Sequence, residues 1–467
     1  MRSQLSCGRR PPQHGVVLLL TTLALLFVVI PVVGLAIDAG VAYATKGRLQ
    51  TATDGAALAA GRSLSRGLDL ASQRTSAVQT AEAVFRANFV DGWLGAFNPQ
   101  ISVSFPAAPP KTSIVRVETS VAAPTYFMRI FAVNSLTVRS VAEATRRDVN
   151  VMMVLDRSGS LAESNSCGPL RVAANSFVHA FLDGRDRVGL ITFGTTYNVD
   201  FPLAFDFRSR SGTNLPTMIN NIACVGGTNA AAPYWLAYQQ LRALNEPGAL
   251  NVILFFTDGQ PNSLHMPALQ VRASSPCIDK SDKNGVVAPA GTQVWGVFRA
   301  LETGPPPAPN PDWRVVPGST GCYYASSYRR VVDDIVALTR PGAHNEVDVY
   351  GNSLVGYKTP IRRDGSGRIR LNDWETVTNA ATNALDNAAQ RVRNESVLNG
   401  LDVVTYCIAL GGPGEPEQVL MRRIANVPQS PIYDPSKPVG GYIYAADANA
   451  LHQAFAQVAS DILRLSM

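Results

Sequence analysis

The sequence predicts an α/β protein whose main domain is a doubly wound, mainly parallel sheet, preceded by a transmembrane helix and a small α+β segment. Four nearly continuous apolar runs, separated or followed by helical patterns, carry the main prediction. Such runs are what a parallel sheet covered on both faces requires, and their alternation with helices gives a doubly wound domain. The four runs are Val149–Asp156, Arg187–Phe193, Leu250–Asp258 and Leu401–Leu410.

The first element is an apolar stretch at residues 15–37, which has 23 residues and no charge. A helix needs about 20 such residues to cross a bilayer. Arg2, Arg9 and Arg10 precede the stretch, and positive charge stays on the cytoplasmic side. We therefore expect residues 1–14 to be a cytoplasmic tail and the rest of the chain to lie outside.

A cleaved signal peptide is the alternative for this segment. Its apolar region would have about 7–15 residues, which is shorter than the stretch here. Residues 42–44, with the sequence Ala-Tyr-Ala, could still serve as a cleavage site. The length of the apolar stretch favours a retained transmembrane helix.

A helical region and a small sheet follow. Residues 38–88 are Ala-rich, and residues 49–64 place small apolar side chains on one helical face, so this region either continues the membrane helix or packs beside it. Three later runs alternate with period two, as in an antiparallel sheet with one exposed face. They are Ile101–Phe105, Ser113–Val121 and Ser135–Thr145. Residues 125–131, before the last run, are aromatic and either helical or irregular.

Composition and motifs exclude several classes of protein. A net charge of +6 over 467 residues does not indicate a nucleic-acid binder. Six cysteines without clustering argue against a small disulfide scaffold and against a Cys-rich zinc site. The chain has no P-loop, G-x-G-x-x-G turn, G-x-S-x-G elbow or zinc-protease motif, so we expect no enzyme.

Polar side chains follow the predicted strands. Asp156, Ser158 and Ser160 form a D-x-S-x-S motif, Thr228 ends a G-G-T motif, and Asp258 precedes Gly. A doubly wound fold brings the carboxyl ends of its strands to one edge, where ligands bind. Two carboxylates and three hydroxyls suit Mg²⁺, or Mn²⁺ or Ca²⁺, better than zinc or copper. The alternative is that these residues only cap helices and turns.

In this order and spacing the three motifs resemble those of the von Willebrand factor type A (VWA) domain, which is Rossmann-like. The resemblance covers residues 149–260 and 373–467. It implies a VWA domain at 149–467 with a large insertion at 261–372. We expect the insertion to lie on the ligand-bearing edge of the sheet.

The VWA resemblance also implies a metal-ion-dependent adhesion site (MIDAS). On the family pattern, Asp156, Ser158, Ser160 and Thr228 would be metal ligands, and Asp258 would bind directly or through water. An acidic side chain of a partner protein would complete the shell of the divalent cation.

The N-terminal segment carries a second resemblance. The sequence GLAIDAGVAYATKGRLQTATDGAALAAG is similar to the N-terminal segment of TadE/TadG-type proteins of tight-adherence (Flp) pilus systems, over roughly residues 14–65. Residues 38–148 would then be a TadE/TadG-like helical stalk and β-rich unit. A TadG-like protein would be held in the bacterial inner membrane by residues 15–37 as a single-pass protein, with its VWA domain periplasmic or surface-facing.

Together the resemblances imply a membrane-anchored, extracytoplasmic protein that binds a partner in a divalent-metal-dependent way. Its role would be in Flp/Tad pilus assembly or surface adhesion. Its partners would be pilus-assembly proteins, and we expect no binding to nucleic acid. One alternative is a structural, pseudopilin-like subunit whose metal site is incidental. Another is an adhesin that binds a surface directly.

The cysteines fit this layout. Cys167 follows D-x-S-x-S and Cys224 precedes G-G-T, and these loops are neighbours in a VWA fold, so we expect a disulfide there. An oxidising compartment favours it. Cys277 and Cys322 lie in the insertion and are the natural second pair, although four cysteines allow three pairings and the sequence alone does not choose. Cys407 lies in a predicted strand and is expected to be a buried thiol.

Overall fold

The computed structural model describes residues 14–64, 70–271, 283–289, 295–298, 335–336 and 346–466, except 364, 366, 368, 372 and 413. The chain divides into two compact units. The N-terminal unit comprises residues 1–108 and 113–146, and the C-terminal unit comprises residues 109–112 and 147–467. The predicted pairing of Cys277 with Cys322 lies outside the described residues.

The N-terminal unit begins with one long helix. It consists of α1 (His14–Ala24), a π-helical turn (Leu25–Val29) and α2 (Ile30–Ser63). Among the described residues, this is the one helix long and apolar enough to cross a membrane. Its apolar side chains are largely exposed, as at Leu18 (70%).

The predicted stalk is a pair of packed helices. Helix α2 continues the apolar segment, and α3 (Leu70–Asn88) packs beside it. The core that they share contains small side chains such as Ala56 and Ala81, both fully buried. Both alternatives for residues 38–88 therefore hold in part, since one helix continues the apolar segment and the other packs against it.

A three-stranded sheet completes the N-terminal unit. Its order is β1–β2–β3, and β1 is antiparallel to β2. Val115, Val117 and Val121 of β2 join the core of α2 and α3. The strands are β1 (Phe97–Ser104), β2 (Thr112–Pro124) and β3 (Ser135–Arg147), with 3₁₀ turns at Trp93–Gly95 and Met128–Phe131.

The C-terminal unit is built on a six-stranded sheet in the order β13–β12–β7–β4–β5–β6. Every neighbouring pair is parallel except β5 with β6, which confirms the mainly parallel sheet. Its strands are β4 (Val149–Asp156), β5 (Arg187–Phe193), β6 (Tyr197–Ala204), β7 (Leu250–Thr257), β12 (Val404–Leu410) and β13 (Gly441–Ala445). Between β7 and β12 lie β8 (Leu264–Val271), β9 (Lys283–Pro289), β10 (Trp295–Phe298) and β11 (Ile335–Val336).

Helices cover both faces of the sheet. The C-terminal unit contains α4 (Gly159–Glu163), α5 (Cys167–His179), α6 (Leu215–Asn220), α7 (Ala231–Leu244), α8 (Trp374–Leu398), α9 (Gln418–Ala425) and α10 (Leu451–Leu465). Helices α7, α8 and α9 pack on one face, and α5, α6 and α10 on the other. Val154 in β4 faces the first group and Met153 the second, so every residue of this strand is buried.

The described part of the insertion forms a second sheet in the order β10–β9–β8–β11, with antiparallel neighbours. Leu264, Met266 and Val287 belong to the same apolar core as α7 and α8. The described part of the insertion therefore contributes to the core of the C-terminal unit.

A buried ion pair joins α8 to α9. Asp386 accepts two hydrogen bonds from Arg423, at 2.8 Å from Nε and 2.6 Å from Nη2. The side chains are 2% and 10% exposed. We expect Asp386→Ala to destabilise the unit by about 3–5 kcal/mol, because it leaves a buried guanidinium without its partner.

Chemical denaturation of the full chain in detergent, followed by tryptophan fluorescence, measures this loss. The control is the double variant Asp386→Leu/Arg423→Met, which removes both charges and should lose much less stability. Equal losses in the two variants would contradict this account of the pair.

Candidate metal-ion site

The sheet brings two acidic loops to one edge. Strands β4 and β7 are parallel neighbours, and Leu155 pairs with Phe256. Asp156 closes β4, and Asp258 comes immediately after β7. Because both strands run in the same direction, the two carboxylates meet at the carboxyl end of the sheet.

Hydroxyl groups surround the second carboxylate. Oδ1 of Asp258 accepts hydrogen bonds from Ser158 Oγ at 3.1 Å and from Ser160 Oγ at 3.0 Å. The two serine oxygens are 3.0 Å apart. The D-x-S-x-S loop and the loop after β7 thus place three oxygen atoms within hydrogen-bonding distance of one another.

Asp156 is fully buried at the base of the same cluster. Its Oδ1 accepts the backbone N–H of Ser158 at 2.7 Å, and its Oδ2 accepts the Thr257 hydroxyl at 2.5 Å. Burial, together with the charge of nearby Asp258, raises the pKa of Asp156 to about 8. Burial raises the pKa of Asp258 as well. Two buried carboxylates repel each other, and a cation between them would relieve that repulsion.

Thr228 lies beside the other four predicted ligands. Its N–H donates to Oδ1 of Asn262 at 2.7 Å, and its carbonyl accepts the N–H of Asn262 at 3.0 Å. A methyl group added at Gly259 would lie 3.5 Å from Thr228 Oγ1 and 3.8 Å from Ser160 Oγ. Among the contacts of the described residues, the Thr228 hydroxyl makes no hydrogen bond to the other four side chains.

The two glycines of the G-G-T motif fix this loop. Gly226 has φ +95°, and a Cβ there would lie 2.8 Å from Thr195 Oγ1, so only glycine fits. Its carbonyl accepts the N–H of Gly159 at 2.9 Å. The N–H of Gly227 donates to Thr195 Oγ1 at 2.8 Å. The loop that carries Thr228 is therefore attached to the D-x-S-x-S loop through the backbone.

A cavity of about 150 Å³ opens beside the cluster, lined by Ser160, Glu163, Ser164, Asp258, Leu410, Gly411 and Gly412. Glu163 brings a third carboxylate, whose charge adds to the effect of burial on the pKa of Asp258. The cavity leaves Ser160 accessible to a group that approaches from outside.

The donor set fits a hard divalent cation. The candidate ligands carry only oxygen atoms, and the structure brings two carboxylates and two hydroxyls into one cluster with Thr228 beside it. Among the described residues, no group of three or more His, Cys, Asp or Glu side chains is arranged to hold a metal ion. Oxygen donors suit Mg²⁺, Mn²⁺ or Ca²⁺, whereas zinc and copper favour nitrogen and sulfur.

Sequence reasoning did not identify the residues that position these ligands. Thr257 bonds to Asp156, Asn262 fixes Thr228, and Thr195 supports the G-G-T loop. Glu163 in the cavity was missed as well. Thr257 directly precedes Asp258 at the end of an apolar strand, which is the signal that could have revealed it.

The structure contains the predicted disulfide between Cys167 and Cys224, with a Cα–Cα distance of 6.1 Å. It joins the start of α5 to the loop before G-G-T. Cys407 is a buried free thiol, as expected. The bond therefore connects two of the segments that flank the candidate ligands.

The doubly wound sheet and the loops at its edge define the class of fold as a VWA domain. Residues 151–260 match the family model of the von Willebrand factor type A domain. Residues 15–63 match the family model of Flp pilus-assembly TadE/G-like proteins. The chain thus combines a TadE/G-like N-terminal segment with a VWA domain, which is the TadG-like arrangement predicted from its sequence. Its apolar helix and the TadE/G-like match both indicate a membrane anchor.

Among curated proteins, the chain is 28% identical over 130 residues to calcium-activated chloride channel regulator 1 of Macaca mulatta. The match covers 27% of this chain and spans 14% of the length of that relative.

Solved structures resemble the chain at low identity. The pilus adhesin SpaC from Lactobacillus rhamnosus GG has 15% identity and a TM-score of 0.38, with 79% of this chain and 34% of SpaC covered. The vWF domain of the type V pili tip protein Mfa5 from Porphyromonas gingivalis has 13% identity and a TM-score of 0.38. That match covers 69% of this chain and 98% of the Mfa5 domain. The PilB minor pilin from Streptococcus sanguinis has 13% identity and a TM-score of 0.36, and the match covers 80% of each chain.

We expect loss of the disulfide to destabilise the C-terminal unit. The bond closes a loop with a sequence separation of 57, and removing such a native bond costs about 2–5 kcal/mol. The double variant Cys167→Ser/Cys224→Ser should therefore unfold at a lower urea concentration than the wild type. Adding reductant should lower the midpoint of the wild type by more than that of the variant, which retains the predicted pair Cys277 and Cys322. A variant that unfolds at the wild-type midpoint would contradict this prediction.

Proposed function

We propose that this protein is a membrane-anchored, extracytoplasmic VWA protein that binds a partner protein through a divalent cation. Its role is in Flp/Tad pilus assembly or surface adhesion, and it acts as a binding protein rather than an enzyme. The cation is Mg²⁺, with Mn²⁺ or Ca²⁺ as alternatives. The partner contributes an acidic side chain.

The observation that carries the proposal is the oxygen cluster at the edge of the sheet. Asp156, Ser158, Ser160 and Asp258 would hold the cation, and Thr228 is beside them. A bound cation would supply a positive charge with a coordination position open to a carboxylate. The ligands carry few negative charges, so such an ion would still attract an anionic partner group. The cavity beside Ser160 supports access from outside.

The membrane location draws on the N-terminal unit. An exposed apolar helix and the TadE/G-like match of residues 15–63 support an anchor in the bacterial inner membrane. The arginines before this helix favour a cytoplasmic N-terminus, which would leave the VWA domain periplasmic or surface-facing. A disulfide in that domain is consistent with an oxidising compartment.

Magnesium should stabilise the wild-type chain and not the variant Asp156→Ala, which loses the buried carboxylate. At a Mg²⁺ concentration of about 100 times Kd the gain would be about 2.7 kcal/mol. Differential scanning calorimetry of the detergent-solubilised full chain, with Mg²⁺ and with chelator, measures it. The matched control is Asp206→Ala. Asp206 forms an ion pair with Arg210 at 2.7 Å. It follows β6, which is antiparallel to β5 and therefore ends where the parallel strands begin, away from the candidate metal site. Equal stabilisation of both variants would refute the metal site.

Partner binding should depend on the same ion. Pilus-assembly proteins that co-purify with the full chain from membranes in Mg²⁺ should be released by chelator and should be missing from Asp156→Ala preparations. Asp206→Ala should retain them. If the wild type and both variants kept their partners in the presence of chelator, metal-dependent binding would be contradicted.

The second candidate function is a structural, pseudopilin-like subunit. The exposed apolar surface of the N-terminal helix favours it, since such a helix can pack into a multi-protein assembly. In that case Asp156→Ala would assemble pili normally, whereas deletion of residues 15–37 would not.

A further inference from the structure

An exposed apolar turn lies in the N-terminal unit, between β2 and β3. Tyr126, Ile130 and Phe131 are 53%, 80% and 72% exposed. Residues 125–134 contain no acidic residue and one arginine, Arg129. The metal site does not involve this turn. Three large apolar side chains so exposed within six residues indicate a surface that binds something apolar.

A buried carboxylate fixes the position of this turn on α2. Asp38, which is 1% exposed, accepts the N–H of Tyr126 at 2.7 Å and that of Met128 at 2.8 Å. The N–H of Phe127 is shared between its two oxygens, at 3.3 and 3.0 Å. Three consecutive backbone donors therefore converge on the first charged residue after the apolar stretch.

An aromatic contact fixes the same position independently. A Cβ added at Gly34 would lie 2.4 Å from Cγ of Phe127, so the ring packs directly on the helix backbone. Gly34 precedes Ile37, the last residue of the apolar stretch, by three residues, or about 4.5 Å along the helix. Phe127 therefore lies beside the last turn of the predicted membrane span.

This contact determines the depth of the exposed side chains. Residues 128–131 form one 3₁₀ turn, which rises about 2 Å per residue. Ile130 and Phe131 are thus at most about 4 and 6 Å along the turn from Met128, whose N–H bonds to Asp38. The headgroup region on each side of a bilayer is about 5–8 Å thick. The exposed apolar patch therefore continues the apolar surface of the helix at the height of the lipid interface.

We propose that Tyr126, Ile130 and Phe131 insert into the lipid interface on the side where α2 leaves the membrane. Aromatic side chains are favoured at this level, and Arg129 would place its charge among the headgroups. The turn is then a second membrane contact that fixes the rotation of the N-terminal unit about its helix. This inference rests on the membrane anchor of the proposed function and is independent of the metal site.

Photo-crosslinking of the full chain tests the occupant of this patch. Phe131 is replaced by p-benzoylphenylalanine, and the protein is reconstituted in vesicles of phosphatidylethanolamine and phosphatidylglycerol. Irradiation should give a phospholipid adduct, detected by mass spectrometry, whose yield chelator does not change. The same substitution at Ile130 should give the same result, so the conclusion does not depend on one variant.

Two positions on the helix serve as controls. Leu26 lies inside the predicted span and should form lipid adducts. Leu58, 45% exposed, lies 21 residues beyond Ile37, or about 31 Å along the helix, and should form none.

This inference alone would be overturned if Leu26 formed lipid adducts and the turn positions Ile130 and Phe131 formed none. Protein adducts at Ile130 and Phe131 would overturn it in the same way. Absence of lipid adducts at Leu26 would overturn the membrane anchor and this inference together. Neither result would bear on the metal site, which the calorimetric comparison tests separately.

Discussion

The parallel pairing of β4 with β7 is the constraint on which the candidate site depends. These two central strands are fully buried, and they run in the same direction, so the residues that follow them must meet at one edge. Asp156 is consequently placed in the core, where a carboxylate is costly unless a cation or hydrogen bonds compensate it. The backbone N–H of Ser158 and the Thr257 hydroxyl supply hydrogen bonds to Asp156, and the hydroxyls of Ser158 and Ser160 supply those to Asp258.

The central strands were predictable from the sequence, because burial on both faces requires continuous apolar runs. The predicted bounds of β4 agree with the structure to the residue. The edge strands were not predictable in this way. Strand β6 contains Asn198, Asp200 and Pro202, and β13 has only five residues, so neither presents a long apolar run. An edge strand is paired on one side only, and its composition is correspondingly less constrained.

The candidate ligands were predictable for a related reason, since each lies at a fixed offset from a strand end or in a glycine turn. The residues that position these ligands were less predictable from the sequence. Asn262 bonds to a residue of the G-G-T loop that is 34 positions away in the sequence, and Thr195 bonds to one that is 32 positions away. Ordinary polar residues in loops carry no local signal for such contacts. The hydrogen bonds of Asp38 to the turn after β2 span 88 to 90 residues and were equally hidden.

The helix that carries Asp38 has a mechanical consequence. Helix α2 runs for 34 residues without interruption, or about 51 Å, and its far half packs against α3 and the small sheet. If it slid along its axis, it would strip three backbone donors from a buried carboxylate, and a turn about that axis would pull Phe127 from Gly34. The contacts of Asp38 and Gly34 therefore couple the helix to its small sheet, so that a rotation of the helix would be passed on to that sheet.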